Sequence, residues 1–285
     1  MERYISTYRP LNMVFIAVAQ WLCAYFLDAK AILPDLVTGG LYWLMTGTAA
    51  CTAFGYWVND LLDKERDILN NGTVSDIHSL PLAVIYVHLF VFVCIAIGCG
   101  FMLGTWFIGL FVVTLLALFL YSRWLKNIAV IGNVIVALLC YCSTYSVYVL
   151  FPSIDSMLLI YFALLATATT LFREMVKDAE DIEGDGQTGA KTLPIIVGLK
   201  AVNIGVYALI LVLMPIIIVL VASHRAYFEG TLLYLYYIYT FLFILVPFFK
   251  VAMDVRYAAT KEEYTDISAL LKYIFFTGIL SILFF

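Results

Sequence analysis

The chain carries the acidic stretch Asn59-Asp60-Leu61-Leu62-Asp63-Lys64-Glu65-Arg66-Asp67, and a second stretch of the same pattern reads Lys177-Asp178-Ala179-Glu180-Asp181-Ile182-Glu183-Gly184-Asp185. In both stretches the second aspartate lies three residues after the first, and the third lies four residues after the second. On a continuous helix these offsets lie within roughly 60° of arc, so each triplet is predicted to present one acidic face.

The composition identifies the surrounding solvent as lipid. Of 285 residues, 64% are hydrophobic and 13% charged, and the mean hydropathy is +1.00. Soluble domains have about 45–50% apolar and about 25% charged residues. The composition therefore predicts a polytopic membrane protein. The net charge of −4 indicates no nucleic-acid partner, and the six cysteines lie in apolar runs without a zinc-binding pattern.

Charge-free runs predict an all-α protein with nine transmembrane helices. Residues 77–122 contain no charged residue, which is too long a run for one helix of about 20 residues. Two helices that turn near Gly104 are therefore predicted there. The predicted spans are 11–27, 36–58, 80–103, 105–121, 128–150, 154–172, 201–222, 231–249 and 267–285.

Lysine and arginine residues set the predicted orientation. If the N-terminus is cytoplasmic, only Lys30 and Arg225 of the 16 basic residues lie on the opposite side. The acidic motifs follow spans two and six, so both lie on the cytoplasmic side. Two motifs of equal spacing also indicate an internal duplication within one domain, residues 1–285.

Six aspartates at facing helix ends require a cation, because like charges a few ångströms apart repel. Carboxylate oxygens suit Mg²⁺, which usually shares its coordination shell with substrate phosphates. A diphosphate leaving group at the mouth of a membrane bundle points to an allylic prenyl diphosphate. The 20 Tyr, 21 Phe and 5 Trp supply walls that exclude water from a carbocation, although most aromatic residues of this type serve packing. A solvated acidic loop is the alternative interpretation of either motif alone.

At these residues the chain resembles the UbiA superfamily of intramembrane prenyltransferases. The resemblance includes Asn59-Asp60-x-x-Asp63-x-x-x-Asp67 and Asp178-x-x-Asp181-x-x-x-Asp185, the latter followed by Gly189-Ala190-Lys191-Thr192-Leu193-Pro194. Arg9-Pro10-x-Asn12 is similar to the family's entry to the first helix. Tyr121-Ser122-x-x-Leu125-Lys126 and Gly132-Asn133 are similar to the connection between its fourth and fifth helices.

The resemblance implies nine helices around a central cavity that the two motif loops cap. It implies Mg²⁺ as cofactor, with metal ligands and catalytic residues among the six aspartates. The implied metal ligands are Asp60, Asp63, Asp67, Asp178, Asp181 and Asp185, of which Asp63, Asp67, Asp181 and Asp185 are the implied catalytic set. The implied substrate-binding residues are Asn12, Asn59, Arg66, Tyr121, Lys126, Arg173, Lys177 and Lys191. For the four cations Lys126, Arg173, Lys177 and Lys191, the cytoplasmic excess of positive charge is an equal explanation.

Within the superfamily, the stretch Arg173 to Asp185 looks most like the digeranylgeranylglyceryl phosphate synthase branch. This resemblance implies Mg²⁺-dependent transfer of a prenyl group, geranylgeranyl, from an allylic diphosphate to a lipophilic acceptor, a prenylglycerol phosphate. It also implies a multi-pass protein of a prokaryotic cell membrane that contacts membrane lipids. The alternatives are transfer to an aromatic or quinone precursor, a terpene cyclase on the same scaffold, and a cation-binding transporter.

One departure from the family pattern follows the first motif. The family usually continues Asn-x-Pro-x-Arg-Pro, and its arginine helps to bind diphosphate. Here Asn70 is retained, but no Pro-x-Arg-Pro follows. Arg66 or Lys64 is the expected replacement, and His78 is a weaker candidate. The alternative is that the donor binds more weakly or in a different way.

Overall fold

Apolar helices dominate the chain because a backbone in lipid must satisfy its hydrogen bonds internally. The computed structural model describes residues 9–27, 40–72, 74–228 and 230–285. In this part of the chain there is no β-strand, and one isolated bridge pairs Ile128 with Lys191. The long helices are α1 Pro10–Phe26, α2 Leu41–Leu62, α4 Leu82–Leu103, α5 Thr105–Arg123, α6 Ile131–Leu150, α7 Ser156–Glu180, α10 Leu199–Ser223, α11 Thr231–Thr240, α12 Val246–Tyr257 and α13 Lys261–Leu280.

Shorter helical segments connect the long helices. The short α-helices are α3 Lys64–Asn71, α8 Ile182–Gln187 and α9 Leu193–Val197. Single 3₁₀ turns are Asp76–Ser79, Leu125–Asn127, His224–Tyr227 and Ser281–Phe284, and a π-helical turn, Phe241–Leu245, joins α11 to α12. The predicted turn near Gly104 is confirmed. Gly104 separates α4 from α5 with φ 113°, a conformation that residues with a side chain rarely adopt.

Seven helical segments of the described chain are long and apolar enough to cross a membrane, and the protein is an integral membrane protein. They correspond to α4, α5, α6, α7, α10, α11 with α12, and α13. A further apolar helix, α1, has 17 residues, and α2 ends in the first acidic motif. The residues Arg3 and Lys30, and the first part of the predicted span 36–58, lie outside the described residues.

The helices pack so that many large apolar side chains face outward. Phe90, Phe101 and Val219 are each more than 65% exposed. An apolar surface of this extent is expected where lipid, rather than water, is the solvent. Inside the bundle, α2 packs on α4 and α5, and α7 packs between α6 and α13. Helix α1 packs on α2 and α6, so the first and second halves of the chain meet around one interior.

Candidate active site

The middle aspartate of each acidic motif breaks its helix. Asp63 separates α2 from α3 with φ −94° and ψ 10°, and Asp181 separates α7 from α8 with φ −97° and ψ 9°. The prediction that each triplet forms one face of a continuous helix is therefore wrong in this respect. The first aspartate of each motif lies in the last turn of a long helix, and the third lies on the short helix that follows the break.

The two short helices meet at one end of the bundle. Helix α3 packs against α8, and a Cβ on Gly184 would overlap the side-chain amide of Asn70. A side chain at residue 184 would therefore require Asn70 to shift. Across the same interface, Nε of Arg66 lies 3.1 Å from Oδ1 of Asp185. The two motifs, far apart in sequence, thus form one acidic site.

The first aspartate of each motif is held by a residue at the start of the preceding long helix. Nη2 of Arg9, next to α1, donates to Oδ1 of Asp60 at 2.8 Å, and the Ser75 hydroxyl donates to Oδ2 at 2.8 Å. Nδ2 of Asn133, in the first turn of α6, donates to Oδ2 of Asp178 at 2.9 Å. Both carboxylates are thereby fixed at the membrane end of the site.

Lys126 connects the first motif to the loop between α5 and α6. Its ammonium group forms an ion pair with Asp63 and donates to Oδ1 of Asn59 at 3.1 Å. Only 8% of the Lys126 side chain is exposed. Burial lowers the pKa of Lys126, and the neighbouring Asp63 carboxylate opposes that shift.

Burial raises the pKa of three carboxylates of the site. The pKa of Asp181 is raised to about 6, with Lys177 opposing the shift and Asp185 adding to it. Burial also raises the pKa of Asp67, and Asp63 adds to that shift. Burial raises the pKa of Asp185, against the opposing effect of Arg66. A bound cation would favour the charged form of these carboxylates.

The donor set fits Mg²⁺ by its chemistry. Oδ1 of Asp185 is buried and accepts no hydrogen bond of normal geometry, and among the described residues the carboxylates of Asp67 and Asp181 have no hydrogen-bond or ion-pair partner. Within the described part of the chain, no three acidic, histidine or cysteine side chains are already grouped to hold one ion. Mg²⁺ usually takes one or two protein carboxylates and completes its shell with water and phosphate oxygens, which this arrangement permits.

A cavity of about 370 Å³ opens beside the acidic site. Six helices line it: α1, α2, α5, α6, α7 and α13. The predicted site residues that line it are Asn12, Asn59, Tyr121, Arg173 and Lys177. Nδ2 of Asn12 donates to the Tyr56 hydroxyl at 3.0 Å, which holds this amide at the wall.

Three predicted substrate-binding cations lie outside the cavity wall. Arg66 and Lys126 form ion pairs with the motifs, as described above. The side chain of Lys191 is exposed, and its backbone N–H donates to the carbonyl oxygen of Asn127 at 2.9 Å. The Asn127 side chain in turn accepts from Nη2 of Arg66 at 2.5 Å. The continuation of the second motif is thus tied to the first motif through Asn127.

Sequence reasoning missed several residues of the site. It assigned no role to Tyr56 and Asn127, and it treated Lys272 only as a marker of orientation. Tyr56 lies one turn before Asn59, which is a signal that helical spacing provides. Lys272 is a cation inside an apolar run, which is a recognised sign of function in membrane proteins. His78 does not reach the carboxylates, because its Nε2 contacts the backbone oxygen of Asp60 at 2.9 Å.

The fold and the site define an integral membrane protein with paired acidic motifs at one end of a bundle cavity. The chain belongs to the UbiA prenyltransferase family, whose profile matches residues 13–277. The predicted family membership is confirmed.

Similar proteins support this membership. The chain is 30% identical over 205 residues to the digeranylgeranylglyceryl phosphate synthase of Methanopyrus kandleri, and 70% of each chain is covered. A structure described for digeranylgeranylglyceryl phosphate synthase in membranes shares the fold with a TM-score of 0.69 at 20% identity, covering 99% of this chain and 98% of that one. A UbiA homolog from Archaeoglobus fulgidus bound to GPP and Mg²⁺ has a TM-score of 0.67 at 15% identity, covering 98% and 99%.

Proposed function

We propose that this protein transfers a geranylgeranyl group from its allylic diphosphate to the hydroxyl of a prenylglycerol phosphate. The bond between C1 of the donor and the diphosphate oxygen breaks, and both electrons leave with diphosphate. The acceptor oxygen forms the new bond to C1, and its proton passes to a carboxylate or to the released diphosphate. The observation that carries this proposal is the meeting of α3 and α8 beside the membrane cavity.

The aspartates divide into two groups in this proposal. Asp63, Asp67, Asp181 and Asp185, with the Asn59 amide, hold Mg²⁺ and the diphosphate, while Asp60 and Asp178 assist from the helix ends. Bound Mg²⁺ would neutralise the charge that develops on the leaving diphosphate. Hydrogen bonding supports this division, because among the described residues the carboxylates of Asp67 and Asp181 have no partner, whereas Asp60 and Asp178 accept from Arg9, Ser75 and Asn133. Asp60 and Asp178 already have hydrogen-bond donors that orient them.

Arg66 is the proposed replacement for the missing arginine of Pro-x-Arg-Pro. It lies between the two motifs, in contact with Asp185 and Asn127, whereas Lys64 is exposed. With Lys126, Arg173 and Lys177 it would contact the diphosphate oxygens. Lys191 would act at the edge of the same site.

The choice of substrates in this proposal is based on the names of similar proteins. Curated relatives are named digeranylgeranylglyceryl phosphate synthase, and a protein of the same fold is described as bound to GPP and Mg²⁺. Membrane lipids surround the bundle, and both substrates have apolar tails that the lipid-facing protein can accept.

The membrane arrangement is part of the proposal. Nine crossings are proposed: the seven apolar segments together with α1 and α2. The N-terminus and both motifs lie on the cytoplasmic side of a prokaryotic cell membrane, supported by the basic residues on that side. A single domain with an internal duplication is supported by the matching helix breaks at Asp63 and Asp181 and by the matching contacts of Asp60 and Asp178.

The test is product formation by the full chain in lipid nanodiscs. Geranylgeranyl diphosphate is supplied with a prenylglycerol phosphate, with Mg²⁺ or with EDTA, and the ether product and diphosphate are both measured. The expected result is Mg²⁺-dependent formation of both in equal amounts. Diphosphate release with a cyclic product and no acceptor would favour a cyclase, and no turnover with any acceptor would refute the proposal.

A further inference from the structure

Lys272 is a cation on a membrane helix without an acidic partner among the described residues. It lies about 16 Å along α13 from Lys261, is half-buried and lines the cavity. Its Nζ lies 5.8 Å from the ring centroid of Phe15 on α1. In the part of the chain that the structure describes, no hydrogen bond or ion pair is found for its ammonium group. Charged residues within membrane helices generally mark a ligand or ion path.

The wall of the cavity carries an excess of positive charge. Its charged residues are Arg9, Arg173, Lys177 and Lys272, against the single acid Glu174 among the described residues. Arg9 is paired with Asp60 at 2.8 Å, and Arg173 is paired with Glu174 at 3.2 Å. Lys177 lies on α7 beside the second motif. Lys272 is therefore the cation of the cavity wall that serves neither motif, and it lies on α13 rather than on a helix that carries a motif.

We propose that Lys272 binds the phosphate group of the acceptor lipid between α1 and α13. This inference rests on the proposed function and adds a binding site for the second substrate. The donor diphosphate belongs at the acidic motifs, so a separate anion is needed to balance Lys272. Phe15 also lines the cavity and packs against Phe276 with ring centroids 5.1 Å apart, so it offers an apolar wall to the prenyl chain of the same molecule.

The position fits an acceptor with a charged head and an apolar tail. Asn12 lies one turn before Phe15 on α1 and points toward Tyr56 in the same cavity. A phosphate at Lys272 would leave the glycerol hydroxyl free to reach toward the motif end. An anionic membrane lipid offers the same phosphate chemistry, and the experiment below separates the two sources.

The test compares Lys272→Gln with the matched control Lys250→Gln. Lys250 is an exposed lysine on α12 that pairs with Asp254. Initial rates are measured at saturating donor in nanodiscs of neutral lipid, with a prenylglycerol phosphate or with the matching prenylglycerol as acceptor. We expect Lys272→Gln to raise KM for the phosphate-bearing acceptor about tenfold or more. The KM for the prenylglycerol should change less than about twofold, as should the KM for the donor when donor is varied at saturating acceptor. Lys250→Gln should resemble wild type.

A second readout does not depend on turnover. Equilibrium binding of the prenylglycerol phosphate, without donor, is measured by titration calorimetry for both variants and for Lys272→Arg. Loss of binding in Lys272→Gln and its retention in Lys272→Arg are expected. If wild type binds this lipid but makes no product, the proposed function fails while the binding site stands.

Three results would overturn the inference. These are unchanged affinity for the phosphate-bearing acceptor, an equal loss with both acceptors, and an effect of Lys272→Gln that appears only when phosphatidylglycerol is added to the nanodiscs. The last result would assign Lys272 to a membrane lipid headgroup.

Discussion

Nε of Arg66 lies 3.1 Å from Oδ1 of Asp185 and joins the two acidic motifs across the interface of α3 and α8. Only 16% of the arginine side chain and 4% of the aspartate side chain are exposed. The guanidinium group supplies positive charge at a place where carboxylates from both halves of the chain converge. Through this ion pair, a change of charge in one motif directly affects the other.

Replacing Arg66 by alanine should lower the free energy of unfolding when no metal is bound. The change leaves Asp185 buried without its partner, which costs about 3 kcal/mol of unfolding free energy. Mg²⁺ should reduce this loss, because the metal supplies the missing charge. Thermal unfolding of both proteins, with EDTA and with Mg²⁺ plus diphosphate, measures the difference.

The same variant tests the replacement for the missing Pro-x-Arg-Pro. Arg66→Ala should raise KM for the prenyl diphosphate about 10- to 100-fold. Lys64→Ala, an exposed neighbour on α3, should change it less than about twofold. The reverse order of effects would assign the role to Lys64.

Gly184→Ala should disturb the contact between the two motif helices. The added methyl group would overlap the side-chain amide of Asn70, so Asn70 must shift away from α8, and overpacking of this kind typically costs about 1–3 kcal/mol. We expect a lower Tm and about tenfold lower kcat/KM, since this contact helps to position the metal ligands on α3 and α8.

Gly186→Ala is the matched control for this change. Gly186 lies on the same short helix, and a methyl group added there would meet no neighbouring atom within 4 Å. The activity of this variant should therefore remain near wild type. Adding Asn70→Ala to Gly184→Ala should restore much of the stability. An equal loss of activity in Gly184→Ala and Gly186→Ala would contradict the role assigned to the contact between Asn70 and Gly184.

Mg²⁺ binding should weaken as the pH falls through about 6. The pKa of Asp181 is raised to about 6, so below that value the carboxyl becomes protonated and the metal must displace the proton. The apparent Kd for Mg²⁺ should rise up to about tenfold per pH unit below 6 and be nearly constant above 7. Titration calorimetry from pH 5 to pH 8 measures this, and a flat profile would exclude Asp181 as a ligand.

Asn133→Ala should weaken Mg²⁺ binding at the second motif although it removes no carboxylate. The change leaves the half-buried Asp178 without its amide donor, at a cost of about 1–3 kcal/mol. We expect a lower Tm and a higher apparent Kd for Mg²⁺. Asn203→Ala is a suitable comparison, because Asn203 is a buried amide bonded to Ala258 away from the motifs. It should lower Tm while leaving Mg²⁺ affinity unchanged.

The positions of the helices followed from the sequence because lipid imposes a simple rule. Every long apolar run, such as Leu82–Leu103, must form a helix when no water satisfies its backbone. The turn at Gly104 is found in the structure, as is a helix over the described part of each predicted span. The convergence of the motifs was also predictable, since an even number of crossings places both at the same membrane side.

The shape of the site could not be predicted from the spacing of the aspartates. Offsets of three and four residues describe a continuous helix, whereas the chain breaks at Asp63 and at Asp181. The site also depends on tertiary contacts, such as Lys126 with Asp63 and Asn70 against Gly184, which join residues distant in sequence. Local periodicity carries no information about such contacts.

Binding of Mg²⁺ with diphosphate to the full chain in nanodiscs tests the central claim, that both motifs form a single site. It is measured by titration calorimetry for wild type, Asp63→Asn and Asp181→Asn, whose side chains are nearly isosteric with the originals. Each single variant should bind Mg²⁺ with diphosphate at least about tenfold more weakly than wild type. The double variant should bind only slightly more weakly than either single variant. Near-wild-type affinity in one of the single variants would contradict the claim of a single site.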